Sequence, residues 1–108
     1  MWLVWLVAFW AMQAIAQILF KYGTTAPERH LAGFVGGNVF GASSIWLLML
    51  LYGVMNPNLA LALGSAGGFL CAQISLAAVF RSSLTGAQIV GMVAVAGGMA
   101  LFALGTKR

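Results

Sequence analysis

Apolar residues fill this chain in four long blocks, and polar positions collect at the block ends and at a few isolated sites within them. The blocks cover residues 2–20, 32–54, 59–80 and 86–105. Crossing about 30 Å of hydrocarbon takes roughly 20 mostly apolar residues in a helix. Each block is therefore predicted to be one transmembrane helix. Inside a bilayer the backbone must satisfy its own hydrogen bonds, so the alternatives are helices or a closed barrel. The strand alternation that a barrel needs is missing. The expected fold is an all-α membrane protein, a single domain spanning residues 1–108.

The connections are short. The longest is Lys21-Tyr22-Gly23-Thr24-Thr25-Ala26-Pro27-Glu28-Arg29-His30, broken by Gly and Pro. Met55-Asn56-Pro57-Asn58 reads as a tight turn. Arg81-Ser82-Ser83-Leu84-Thr85 joins the last two spans, with Thr85 placed to cap the fourth helix. Connections of this length predict neighbouring helices in antiparallel hairpins. The motif Ala14-Ile15-Ala16 resembles a signal-peptide cleavage site. No Lys or Arg precedes the apolar run, so the first block is expected to stay as a span.

Composition supports this class. The chain is 63% hydrophobic and 6% charged, whereas soluble domains carry about 25% charged residues. The net charge of +4 is not a nucleic-acid signature. Lys21, Arg29, Arg81, Lys107 and Arg108 all fall at span ends, where basic side chains snorkel to headgroups. Lys21, Arg29 and Arg81 mark one membrane face, and Lys107 and Arg108 the other. An excess of one leans towards termini outside and permits insertion in both directions. Trp2, Trp5 and Tyr22 fit interfacial belts, while Trp10 and Trp46 lie deeper. Cys71 stands alone in the third span and reads as a small hydrophobe. His30 reads as an interfacial loop residue. The lone Cys has no partner for a disulfide or a metal site, no cofactor is expected, and no nucleophile–base set marks an enzyme.

Two patterns inside the spans carry more information. The first is small residues at helical spacing: Gly33, Gly37 and Gly41 followed by Ser44, then Gly64 and Gly68 beside Gly67, then Gly91 and Gly98 with Gly97. Small residues let helix backbones approach closely in lipid. These seams are expected to pack the bundle, and some of them to face a partner chain. The second pattern is polar. Gln13, Gln17 and Lys21 recur every four residues and form a stripe ending in a cation near the interface. Asn38, Ser65 and Gln73 are single polar residues in the second and third spans. Intramembrane polar groups serve as interhelical hydrogen bonds or mark a substrate path. Both readings stand for these six residues. The substrate-path reading puts Gln13, Gln17, Ser65 and Gln73 between the first and third helices, with Lys21 meeting an anionic group. The only carboxylate side chain is Glu28, in a connection, so the spans offer no acid to carry a proton.

These features resemble the drug/metabolite transporter superfamily. The likeness rests on the four short spans and the first-helix ending Gln17-Ile18-Leu19-Phe20-Lys21-Tyr22-Gly23. Asn56-Pro57-Asn58-Leu59-Ala60-Leu61-Ala62, the Gln73-containing third span and Gly91-Met92…Gly97-Gly98 extend it over essentially the whole chain. Within the superfamily the chain is similar to the small multidrug resistance proteins and to the subunits that flip aminoarabinose-linked lipid. It is also similar to one half of the longer, ten-helix exporters of the EamA type. The resemblance implies a small-multidrug-resistance-like bundle in a bacterial inner membrane. It also implies assembly as a homodimer or with a homologous four-helix partner, with Gly91 and Gly98 on the seam, and a small-molecule or lipid-linked substrate. The drug exporters carry an essential glutamate where this chain has Gln13. Their third-helix tryptophan and tyrosine correspond to Gly64 and Leu61 here. An amide neither exchanges a proton near neutral pH nor neutralises a cation, so proton-coupled drug antiport is not expected. A scaffold or accessory subunit of a larger complex is the competing expectation.

Overall fold

The computed structural model describes residues 2–105 of the 108. Lys107 and Arg108, which enter the expected orientation, lie outside the described residues. The element order is α1 (Trp2–Tyr22), a short 3-10 helix (Pro27–Arg29), α2 (His30–Val54), α3 (Pro57–Phe80) and α4 (Gly86–Gly105). No strand occurs among the described residues. All four α-helices are long and apolar enough to cross a membrane.

Three of the helices begin or end two residues beyond the apolar blocks, because local hydrogen bonds carry them on. α1 runs through Lys21 and Tyr22, and its end is closed by Thr24 Oγ1 donating to the Lys21 carbonyl (2.7 Å) and Thr25 Oγ1 to the Tyr22 carbonyl (2.6 Å). The same Thr25 hydroxyl accepts from Arg29 Nη1 at 3.1 Å, and the Arg29 guanidinium sits 5.1 Å over the Tyr22 ring. α2 starts at His30 rather than residue 32, directly after the 3-10 turn. The expected tight turn is present, with only Met55 and Asn56 between α2 and α3, and Asn56 also caps α3. Asn56 Oδ1 accepts from the backbone N–H of Asn58 (2.8 Å) and Leu59 (3.2 Å), and Pro57 opens α3 at a position where its missing N–H costs nothing.

α3 stops at Arg81, which takes a left-handed backbone (φ 55°, ψ 31°) more often held by glycine. The Thr85 cap is present in reciprocal form: Thr85 Oγ1 accepts from Gln88 N–H (3.2 Å) and Gln88 Oε1 from Thr85 N–H (2.9 Å). That pair is a capping box, and it fixes the start of α4.

α1 is the hub. It packs on α2 along one side and on α3 along the other, whereas α4 leans on α3. The Cα envelope is a slab of 49 × 34 × 17 Å. The α1–α2 contact is the glycine seam. A Cβ on Gly33 would come 2.6 Å from the Leu19 carbonyl oxygen, one on Gly37 would enter the Phe20 ring, and Gly41 faces Ala16. Moving back from Gly23, just past the end of α1, to Gln13 thus meets α2 moving forward from Gly33 to Ser44. Gly64 and Gly68 also pack inside the chain, against Phe9 and Gln13. A small core of Leu6, Leu51 and Ala60 ties together one end of the three helices. α4 buries no residue, and Gly91, Gly97 and Gly98 face open space. The seams therefore divide by physical role: those on α2 and α3 seat α1, and the one on α4 seats nothing among the described residues.

Candidate functional site

The α1 face turned towards α3 reads Leu6, Trp10, Gln13, Gln17, Lys21, at spacings of three and four. Its apolar half is closed. Leu6 is buried with Ala60, Phe9 covers Gly64, and the Trp10 ring occupies the place of a Gly67 side chain. Trp10 Nε1 donates to the Leu63 carbonyl at 2.9 Å, satisfying a donor that lipid would leave unpaired.

Above this contact the helices leave a polar gap. A cavity of about 320 Å³ is lined by Gln13, Gln17, Ser65 and Gln73 together with Gly68, Phe69, Ala72 and Leu76. Gly68 has no side chain, and this keeps room beside Gln13, whose Cβ and Cγ lie 3.8 Å from where a Cβ would stand. A second space of about 350 Å³ shares Gln17 and Leu76 with the first and adds Phe20, Lys21, Thr24, Phe80 and Ser82. Together they form one groove along α1 and α3, from amides midway along α1 to a cation and two hydroxyls at the C-terminal ends of α1 and α3. Ser82 is held at that mouth by the left-handed turn at Arg81, and its hydroxyl lies 3.4 Å from the Leu76 carbonyl.

Gln13 is tied to α2 as well. Its Nε2 donates to Ser44 Oγ at 2.6 Å, and the fully buried Ser44 hydroxyl donates to the Gly41 carbonyl at 2.7 Å. One amide thus acts as interhelical glue and as groove lining. A bonded amide still has a carbonyl acceptor and a second N–H.

No protein-family model, curated protein or solved structure matches this chain. The groove geometry and the sequence carry the functional argument between them.

Of the six polar residues singled out in the sequence, Gln13, Gln17, Ser65 and Gln73 share the inner cavity, and Lys21 stands in the adjoining mouth. Asn38 does not join them. It is exposed on α2, and its Nδ2 donates to the Phe34 carbonyl one turn back at 2.8 Å. This local bond makes a polar residue tolerable without a partner helix. Sequence reasoning missed Trp10, Thr24 and Ser82. Trp10 was visible as the residue one turn before Gln13 on the same face. Thr24 and Ser82 sit in connections, where no helical period points to a face.

Proposed function

We propose that this chain is a small membrane transporter or flippase of the drug/metabolite transporter kind. It moves a small polar, amphipathic or lipid-linked substrate through the α1–α3 groove. The observation that carries this reading is the groove itself, with four uncharged polar side chains at membrane depth continuing to Lys21 at the interface. Intramembrane polar groups are costly and gather along ligand paths. Gln13, Gln17, Ser65 and Gln73 offer donors and acceptors but no charge, which suits hydroxyl, amine or amide groups of a substrate. Lys21 suits an anionic group at headgroup level.

The spans contain no carboxylate, so transport runs downhill or is driven by metabolism of the substrate rather than by proton exchange at Gln13. The order of contacts along α1 and α2 supports antiparallel hairpins. A bacterial inner membrane is the setting that the resemblance implies. The open Gly91–Gly98 face of α4 supports pairing with a second copy or a homologous four-helix chain.

The test is flux in proteoliposomes with and without an imposed proton gradient. Flux that persists without the gradient and falls in Gln13→Leu and Gln73→Leu supports the reading. Flux that needs the gradient, in the chain alone, overturns it. A second reading, an accessory subunit of a larger complex, draws on the same exposed α4. It predicts no flux from the reconstituted chain and co-purification with a larger assembly through α4.

A further inference from the structure

The groove ends abruptly. Along α1 its lining runs from Lys21 to Gln13, about 12 Å at 1.5 Å per residue, and one turn further on the helices are in contact. That contact is not uniform apolar packing. Phe9 covers Gly64, but Trp10 both fills the Gly67 seat and donates Nε1 to the Leu63 carbonyl at 2.9 Å. Beyond it lie Leu6 and Ala60, buried with Leu51, and the partly buried Trp5, Met55 and Leu63. The connection from α2 to α3, with the Asn56 cap, closes that end of the helices.

We infer that Trp10 is the closing residue of the groove. It fixes the depth to which a substrate headgroup enters from the Lys21 face, and its displacement from Gly67 opens the way to the Asn56–Asn58 face. The inference rests on the reading of the groove as a ligand path, and it adds a residue outside the polar set. The chemistry favours an indole over a phenyl ring here. In hydrocarbon nothing replaces a broken N–H···O=C bond, so the ring stays seated while the groove is dry. Water or a polar substrate group arriving beside Gln13 supplies the substitute partner. Groove occupancy and release of the ring are thereby coupled. Gly67 makes the seat possible, since any side chain there would meet the indole.

The experiment uses single-cysteine variants in a Cys71→Ala background, reconstituted in phosphatidylcholine–phosphatidylglycerol vesicles and exposed to a membrane-impermeant thiol reagent. Thr25→Cys and Asn58→Cys mark the two faces and calibrate mixed orientation. Gln73→Cys reports the groove. In the parent, Gln73→Cys is expected to label in the same fraction of molecules as Thr25→Cys. Trp10→Ala is expected to add labelling in the Asn58 fraction. Trp10→Phe, which keeps a ring in the seat and loses the donor, is expected to add a smaller share and guards against a folding defect in Trp10→Ala. Gln73→Cys labelling in the Asn58 fraction of the parent overturns the inference. So does one-sided labelling that neither Trp10 substitution changes. No transported substrate enters this readout, so failure of the closing role, read from labelling, and failure of the transport reading, read from flux, are told apart.

Discussion

At the residue scale the most informative side chain is Gln13, because it belongs to two structures at once. It holds α1 to α2 through Ser44, and it lines the groove between α1 and α3. Interhelical hydrogen bonds in membranes are worth about 0.6 kcal/mol on average. Gln13→Leu is therefore expected to lower bundle stability by about that amount, read from unfolding of the detergent-solubilised protein, while it strongly reduces substrate handling. Ser44→Ala removes the same bond and leaves the groove lining in place, so it should reproduce the stability loss and spare the flux. Equal flux losses in both variants would show that Gln13 acts through α2 packing alone. Lys21→Ala, at the mouth, is expected to hurt an anionic substrate selectively, with an uncharged analogue unaffected. The comparison of the two fluxes is the check.

At the element scale, glycines that look alike in the sequence differ by their neighbours. Gly67 and Gly37 each support an aromatic ring from α1, whereas Gly91 and Gly98 face open space. Gly67→Ala forces the Trp10 ring to move, and overpacking of this kind costs about 1–3 kcal/mol. Gly98→Ala should leave the stability of the isolated chain within about 0.5 kcal/mol, the range of surface changes away from packed features. Thermal melts of the two variants in detergent test the contrast. The capping box gives a separate prediction: Thr85→Ala should cost about 1 kcal/mol, seen as faster amide exchange in the first turn of α4 with the other helices unchanged.

At the scale of the whole molecule, the slab arrangement leaves α4 on one edge with no buried residue. Replacing Gly91 and Gly98 together with Leu is expected to separate protomers by holding backbones apart. Cross-linking in native membranes is the measurement, and a monomer in the unmodified chain would rule out the assembly. If the excess of one basic residue in the sequence sets the orientation, two Lys added after Arg108 should move tagged protein towards termini inside. An orientation unmoved by those charges would mean that loop charge does not decide it.

The sequence by itself determined the four helices, the capping role of Thr85 and the stripe Gln13–Gln17–Lys21. Each follows from local physics: hydropathy summed over some twenty residues, a cap bonding its own first turn, and the helical repeat. The tertiary structure decided which faces meet. These helices are apolar nearly all round, so periodicity alone does not say whether Gly37 or Gly98 will receive a neighbour, or that Asn38 turns back on its own helix while Ser65 joins the groove. Lipid removes the hydrophobic contrast that sorts inside from outside in soluble proteins, and helix pairing is left to shape and to a few hydrogen bonds. Trp10 depends on that pairing most directly: its role follows from the absence of a side chain at Gly67, 57 positions away in the chain.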